Sequence, residues 1–324
     1  MSLMSELMRE SVDYAGLFPP ASLTLDAVVA NYHQYVNSNE HSMLGRLIIP
    51  ASRLSEYSEI RQSQVSDVSA PNRPWQISAL VPPIEGLDAT DRFQKFESAI
   101  ELIQKFNTPN NQENTANDLV DAIEVKTPNL TTVEATIARL PSDIHSFLEL
   151  PHTEDPSDLI NRIASEPSGK NLFAKIRTGG TAAHLIPTPE QVARFIWNCA
   201  SSRVAFKATA GLHHPIRSDY RLTYESDSKT ATMFGFLNVF YATMMSWEHA
   251  ISIDELTEIL SATEPTQFRA TENEILWGDR MVQADRVKTL RSQSIISFGS
   301  CSFLEPTTEL QDIPGQSHKS LFPA

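Results

Sequence analysis

The chain has 324 residues, 41% hydrophobic and 20% charged, the composition of an ordinary globular protein. Its formal net charge of −14 sets it against nucleic acid and anionic membranes, and no basic cluster offsets that repulsion. No apolar run reaches the ~20 residues of a membrane helix. The opening residues lack the basic-then-apolar pattern of a secretory signal.

Short apolar runs that stop at proline recur through the first half. Residues 13–18 end at Pro19-Pro20, 44–49 at Pro50, 76–81 at Pro82-Pro83, 122–127 at Pro128 and 146–150 at Pro151. Proline cannot continue a sheet ladder, so each run reads as a strand with a defined end. Helical periodicity follows the strands. Leu25, Val28, Val29, Tyr32 and Val36 share one face, as do Phe93, Phe96, Ile100 and Ile103. Asp155-Pro156 opens a helix with Leu159, Ile160 and Ile163 on its stripe. Thr188 with Gln191, and Ser252 with Glu255, have the spacing of capping boxes.

Further strands are expected near 172–178, 203–209 and 295–300. Eight β–α steps predict a (βα)₈ TIM-type barrel over residues 1–314, a single α/β domain, followed by a C-terminal tail at 315–324 without a core pattern. Residues 212–232 read as a long polar loop. Helical patterns at 233–247, 253–261 and 274–291 then predict an extended helical insertion between strands seven and eight. Residues 62–74 and 107–117 are polar connections. Gly16 interrupts the first strand, and the eighth lies far along the chain from the seventh, so an open doubly wound sheet is the alternative.

Strand alternation decides which side chains face the barrel interior. It aims Glu124 and Lys126 inward from strand four, Glu149 from five, Lys175 and Arg177 from six, and Lys207 and Thr209 from seven. Asp13 joins them if the first strand is real. All but Asp13 lie near the C-terminal strand ends, where barrel active sites form. A lysine crowded by cations in a dry pocket loses its proton more easily and can form a Schiff base with a carbonyl. Lys207, beside Lys175 and Arg177, is the first choice, with Lys175 second. Glu149 or Glu124 would move the proton at the adjacent carbon. The Lys207-x-Thr209-x-Gly211 strand end resembles the pattern in class I aldolase barrels of the deoxyribose-phosphate aldolase type. That resemblance spans two strands and implies lyase chemistry through a barrel lysine.

The same cations would bind an anion. Arg177 can grip a carboxylate or phosphate with two hydrogen bonds, and Lys126 adds charge. The small-residue strand ends at Gly179-Gly180 and at Gly299-Ser300 offer backbone N–H groups. His213-His214 follows strand seven at the same end, and Arg217, Tyr220 and Arg221 beyond it form a candidate lid. The two cysteines, Cys199 and Cys301, form neither a metal-type spacing nor a disulfide framework, and a reducing cytoplasm fits them. Cys301 reads as a small buried residue, because no histidine is adjacent in sequence.

The leading expectation is therefore a cytoplasmic lyase- or aldolase-like enzyme for a small anionic carbonyl compound, using no cofactor. It needs neither nucleic acid nor membrane, and a homo-oligomer is compatible with it. One alternative is a metal-assisted isomerase or hydrolase in which Glu124, Glu149 and a histidine hold a divalent ion. Another is a non-catalytic anion-binding barrel.

Overall fold

The computed structural model describes residues 2–64, 74–84, 89–108, 117–167, 169–314 and 321–322. Seven parallel strands come first: β1 (Val12–Tyr14), β2 (Leu44–Pro50), β3 (Gln76–Leu80), β4 (Leu119–Lys126), β5 (His145–Glu149), β6 (Leu172–Arg177) and β7 (Phe206–Thr209). β8 (Ser218–Arg221) and β9 (Thr230–Met233) pair as an antiparallel hairpin. β10 (Arg269–Ala270), β11 (Glu274–Trp277) and β12 (Arg280–Gln283) make a three-stranded antiparallel sheet. β13 (Ile295–Ser300) lies between β7 and β1 and closes the barrel. The sheet is the closed (βα)₈ barrel expected, and not the open doubly wound alternative.

The helices follow the strands in turn. After α1 (Leu3–Leu7) come α2 (Leu25–Val36), α3 (Leu54–Gln64), α4 (Ala89–Phe106), α5 (Leu130–Ile137), α6 (Ser157–Ala164) and α7 (Pro189–Ser202). Then come α8 (Phe236–His249), α9 (Ile253–Ser261), α10 (Ala284–Gln293) and, after the closing strand, α11 (Leu304–Glu309). The capping boxes at Thr188 and Ser252 form as expected, and Asn129 with Thr132 adds a third. Among the described residues no helix is long and apolar enough to cross a membrane.

The outward strand residues make the core. Phe206 meets Phe195 of α7 edge-on, their centroids 5.4 Å apart, and Phe298 stacks on Phe236 of α8 at 5.2 Å. Burying such side chains is worth roughly 1.5–3 kcal/mol each. At the N-terminal end of the barrel, Arg291 of α10 donates to the carbonyls of Leu7, Arg9 and Ile295. That latch ties the start of the chain to the closing strand. Burial pushes the Arg291 guanidinium down to about 10.

The insertion before β13 is only partly helical. Residues 274–283, expected as helix, form β11 and β12 around a turn in which Gly278 has φ +55°. Ile275 and Val282 are register partners on the buried face of that hairpin. The expected loop after β7 carries the β8–β9 hairpin. β1 ends at Tyr14, because the chain turns back over that ring: a Cβ on Gly16 would lie 2.3 Å from the Tyr14 hydroxyl oxygen. The connections read at 62–74 and 107–117 fall largely outside the described residues, as does most of the tail. Leu321 and Phe322 of that tail are nevertheless buried against the core.

The ends of β6 and β7 touch. A Cβ on Gly179 would lie 2.8 Å from the Gly211 Cα, and Gly211 itself sits at φ +78°. Neither backbone has room to yield, so Gly179→Ala is expected to cost ~1–3 kcal/mol through overpacking. A urea titration reads this as a lowered midpoint; an unchanged midpoint would mean that the two strand ends do not meet.

Candidate active site

Five charged side chains from five strands meet inside the barrel. Lys207 is fully buried, its ammonium held between Asp13 and Glu124, with Glu124 Oε1 at 2.5 Å. The other Glu124 oxygen accepts from Lys175 at 2.8 Å, and Lys175 reaches Glu149 at 2.7 Å. Signs therefore alternate from Asp13 through Lys207, Glu124 and Lys175 to Glu149. Hydroxyl and amide donors complete the set. Ser297 donates to Asp13 at 2.6 Å, Ser78 to Glu124 at 2.6 Å, and the Arg46 backbone N–H to Asp13 at 2.7 Å.

Local structure explains these positions. Lys175 and Lys207 are register partners on β6 and β7, so both face inward at the same height. The register between β3 and β4 shifts at Ile77/Ser78, leaving Asp121 as the extra residue of a bulge. Asp121 thereby meets Arg46 with two hydrogen bonds of 2.7 Å near His145. Burial and then Arg46 lower the His145 pKa.

Within the cluster, burial and pairing oppose one another. Burial pushes the Glu124 carboxyl up, but Lys175 and Lys207 outweigh it and hold the group well below the carboxylate range. Burial pushes Lys175 down, while Glu124 and Glu149 outweigh that and raise it above its ordinary value. Lys207 is flanked by carboxylates, not by the cations expected to release its proton.

A cavity of about 640 Å³ opens at the C-terminal strand ends. Glu124, Glu149 and Lys175 line its depth; Lys207 does not. Lys126, Arg177 and Arg221 are exposed around the opening. Neither Lys126 nor Arg177 has an ion-pair partner among the described residues. Thr209, Gly180, His213 and His214 also line the wall. Gly179 and Ser300, expected as ligand groups, do not. Gly179 serves the β6–β7 contact, and the buried Ser300 hydroxyl lies 3.3 Å from His213 Nδ1.

The β8–β9 hairpin covers one side. Tyr220 stacks on His214 with centroids 3.5 Å apart, and His214 Nδ1 meets Glu309 of α11 at 2.8 Å. Tyr220 and Arg221 line the cavity, whereas Arg217 lies over Phe234, 4.8 Å from the ring centroid. The two histidines thus meet α11 carboxylates, not Glu124 or Glu149. Among the described residues no group of three or more His, Cys, Asp or Glu is arranged to hold a metal ion.

Cys301 departs from its sequence reading. Its Sγ lies 3.8 Å from His213 Nε2, and His213 Nδ1 lies 2.9 Å from Glu305 Oε2. Eighty-eight residues separate the cysteine from the histidine in sequence, so spacing carried no signal.

The geometry defines a (βα)₈ barrel with a charged interior and a partly cationic mouth. Compared with known proteins, the chain matches no family model and no curated protein.

Glu124 links the cluster to pH. Its folded pKa lies below the ordinary 4.5, so on acidification the unfolded chain takes up this proton first. The stability it contributes is complete above that ordinary value and is lost as pH falls towards the depressed folded one. Urea midpoints are expected to drop from pH 6 to pH 3, and Glu124→Gln is expected to flatten that dependence. An equally steep slope in the variant would remove Glu124 as its source.

Proposed function

We propose that this barrel is an enzyme of the lyase or aldolase type that acts on a small anionic carbonyl compound, with Lys175 as its amine. One observation carries the reading. Lys175 is a buried lysine that reaches the cavity, between two carboxylates, in the same cavity as the unpaired Lys126 and Arg177. On a chain of net charge −14, uncommitted cations at an opening favour an anionic ligand. Lys207, the first choice from sequence, takes a supporting role: it neutralises Glu124 and Asp13 beneath the reacting centre.

Arg177 and Lys126 bind the carboxylate or phosphate of the substrate and direct its carbonyl inward. A proton passes from Lys175 to Glu149 along their 2.7 Å contact. The neutral amine attacks the carbonyl carbon, a C–N bond forms, and the oxygen leaves as water after taking protons from the acid groups. The resulting iminium accepts the electron pair of the bond between its adjacent carbon and a hydroxyl-bearing carbon; as that bond breaks, the hydroxyl gives its proton to Glu149 and the fragment leaves as a second carbonyl compound. Glu149 then returns a proton to the enamine carbon, and water hydrolyses the imine.

A second reading follows from the raised pKa of Lys175. A lysine that keeps its proton polarises the carbonyl oxygen, and Glu149 moves the proton at the adjacent carbon without a covalent intermediate. The product is then an isomer.

Borohydride separates the two. With a panel of 2-oxo acids and phosphorylated aldehydes, reduction is expected to inactivate the protein and to leave the adduct on the Lys175 peptide. Lys175→Met is expected to take up none. Turnover without trapping selects the isomerase reading; binding without turnover selects a non-catalytic anion-binding barrel. Arg177→Ala tests the anion site separately. Loss of a charge-assisted hydrogen bond, ~1.5–3 kcal/mol, is expected to raise KM about tenfold to a hundredfold while kcat changes much less.

A further inference from the structure

We propose that Cys301, His213 and Glu305 form a second reactive centre on the cavity wall, a thiol nucleophile with its base and orienting carboxylate, which accepts the acyl group of an activated ester or thioester.

The three side chains stand in the order such chemistry requires. The Cys301 Sγ faces His213 Nε2 at 3.8 Å, and the opposite ring nitrogen of His213 is held by Glu305 at 2.9 Å. Fixing Nδ1 on a carboxylate sets the tautomer that leaves Nε2 free to take the thiol proton. A sulfur contact of this length is within reach of a catalytic pair before substrate tightens it. Tyr224 closes the group, its hydroxyl 3.0 Å from Glu305 Oε2 and 3.6 Å from the sulfur. Burial is the main cause holding the Tyr224 proton on, so the group serves as a donor.

Position supports the same role. Cys301 is only 6% exposed yet lines the cavity with His213 and Glu305, so a ligand reaches it while bulk solvent is held off. Burial works against charge on His213, but its bonds to Cys301 and Glu305 outweigh that and raise it to about 9. A more basic imidazole is the stronger acceptor for a proton within its reach. Cys199 is the contrast: buried in α7, its thiol is pushed well up by burial alone.

The step balances without a redox partner. His213 Nε2 takes the thiol proton as the sulfur attacks the acyl carbon. A C–S bond forms, the bond to the leaving oxygen or sulfur breaks, and His213 gives its proton to that leaving group. Water, deprotonated by His213, then attacks the thioester, releasing a carboxylate and restoring the thiol. Lys126 and Arg177 in the same cavity favour an acyl donor with an anionic tail.

The test uses the full chain with p-nitrophenyl acetate. A burst of p-nitrophenolate is expected, stoichiometric with protein, with the acetyl group on the Cys301 peptide by mass spectrometry. Cys301→Ser is expected to abolish it, and His213→Asn to slow it about a hundredfold, the usual contribution of a general base. Because His213 is buried, Glu305→Gln is the milder companion variant, expected to slow both the burst and iodoacetamide alkylation of Cys301 while the circular dichroism stays that of the native chain. Acetylation elsewhere, no burst, or an alkylation rate in natively folded Glu305→Gln equal to that of the native chain would overturn the proposal. The outcome is independent of the imine reading, since borohydride reports on Lys175 and the acetyl label on Cys301.

Discussion

The interior depends on one shared carboxylate. Glu124 holds Lys175 with one oxygen and Lys207 with the other, and so ties β4 to β6 and β7 across the barrel. Apolar side chains of similar volume would often fill such a space with equal stability. Charged residues commit the barrel more narrowly. Each of the two lysines lies between two acids, and removing either ammonium would leave a buried carboxylate short of its partner, which typically costs ~3–5 kcal/mol. The cluster also holds three carboxylates against two ammonium groups, so its own charge favours a further positive group above it. Arg177 and Lys126 add positive charge at the mouth of the same cavity.

The two interior lysines differ in access, although they are register partners on adjacent strands. Lys207 turns across the barrel to Asp13 and is sealed in; Lys175 turns towards Glu149 and keeps contact with the cavity. Strand alternation alone treats them as equivalent. Their difference arises from what stands opposite each one, a three-dimensional relation between β1 and β7.

That distinction marks how far the sequence could be read. The inward set Glu124, Glu149, Lys175 and Lys207 was legible because a period of two leaves no doubt about facing once a strand is granted. The barrel itself was legible from prolines that end strands and stripes that define helices. Residues 274–283 were misread because Ile275, Leu276 and Trp277 are consecutive and fit either period; Gly278 was the cue for a turn. Ser78 and Ser297 look like any strand serine until their acceptors are known. The meeting of Cys301 with His213 was beyond reach, since both lie past the strand ends, where backbone turns decide direction. The expected surroundings of Lys207 counted the cations on β6 but omitted Asp13, which a three-residue strand barely announces.

The placement of Asp13 bears on how the molecule assembles. This acid sits on the first strand, yet its buried partners are made 194 residues later, at Lys207, and 284 residues later, at Ser297. A chain emerging from the ribosome at ~5–20 residues per second spends tens of seconds with that carboxylate held by the Arg46 backbone N–H but without its charged partner or its serine. Nascent β1 can pair with β2 early but lacks its other neighbour until the last strand arrives, so sealing the ring and completing the partners of Asp13 become the same late event. Contacts this distant along a polypeptide make that event slow, and the Arg291 latch forms only as it finishes.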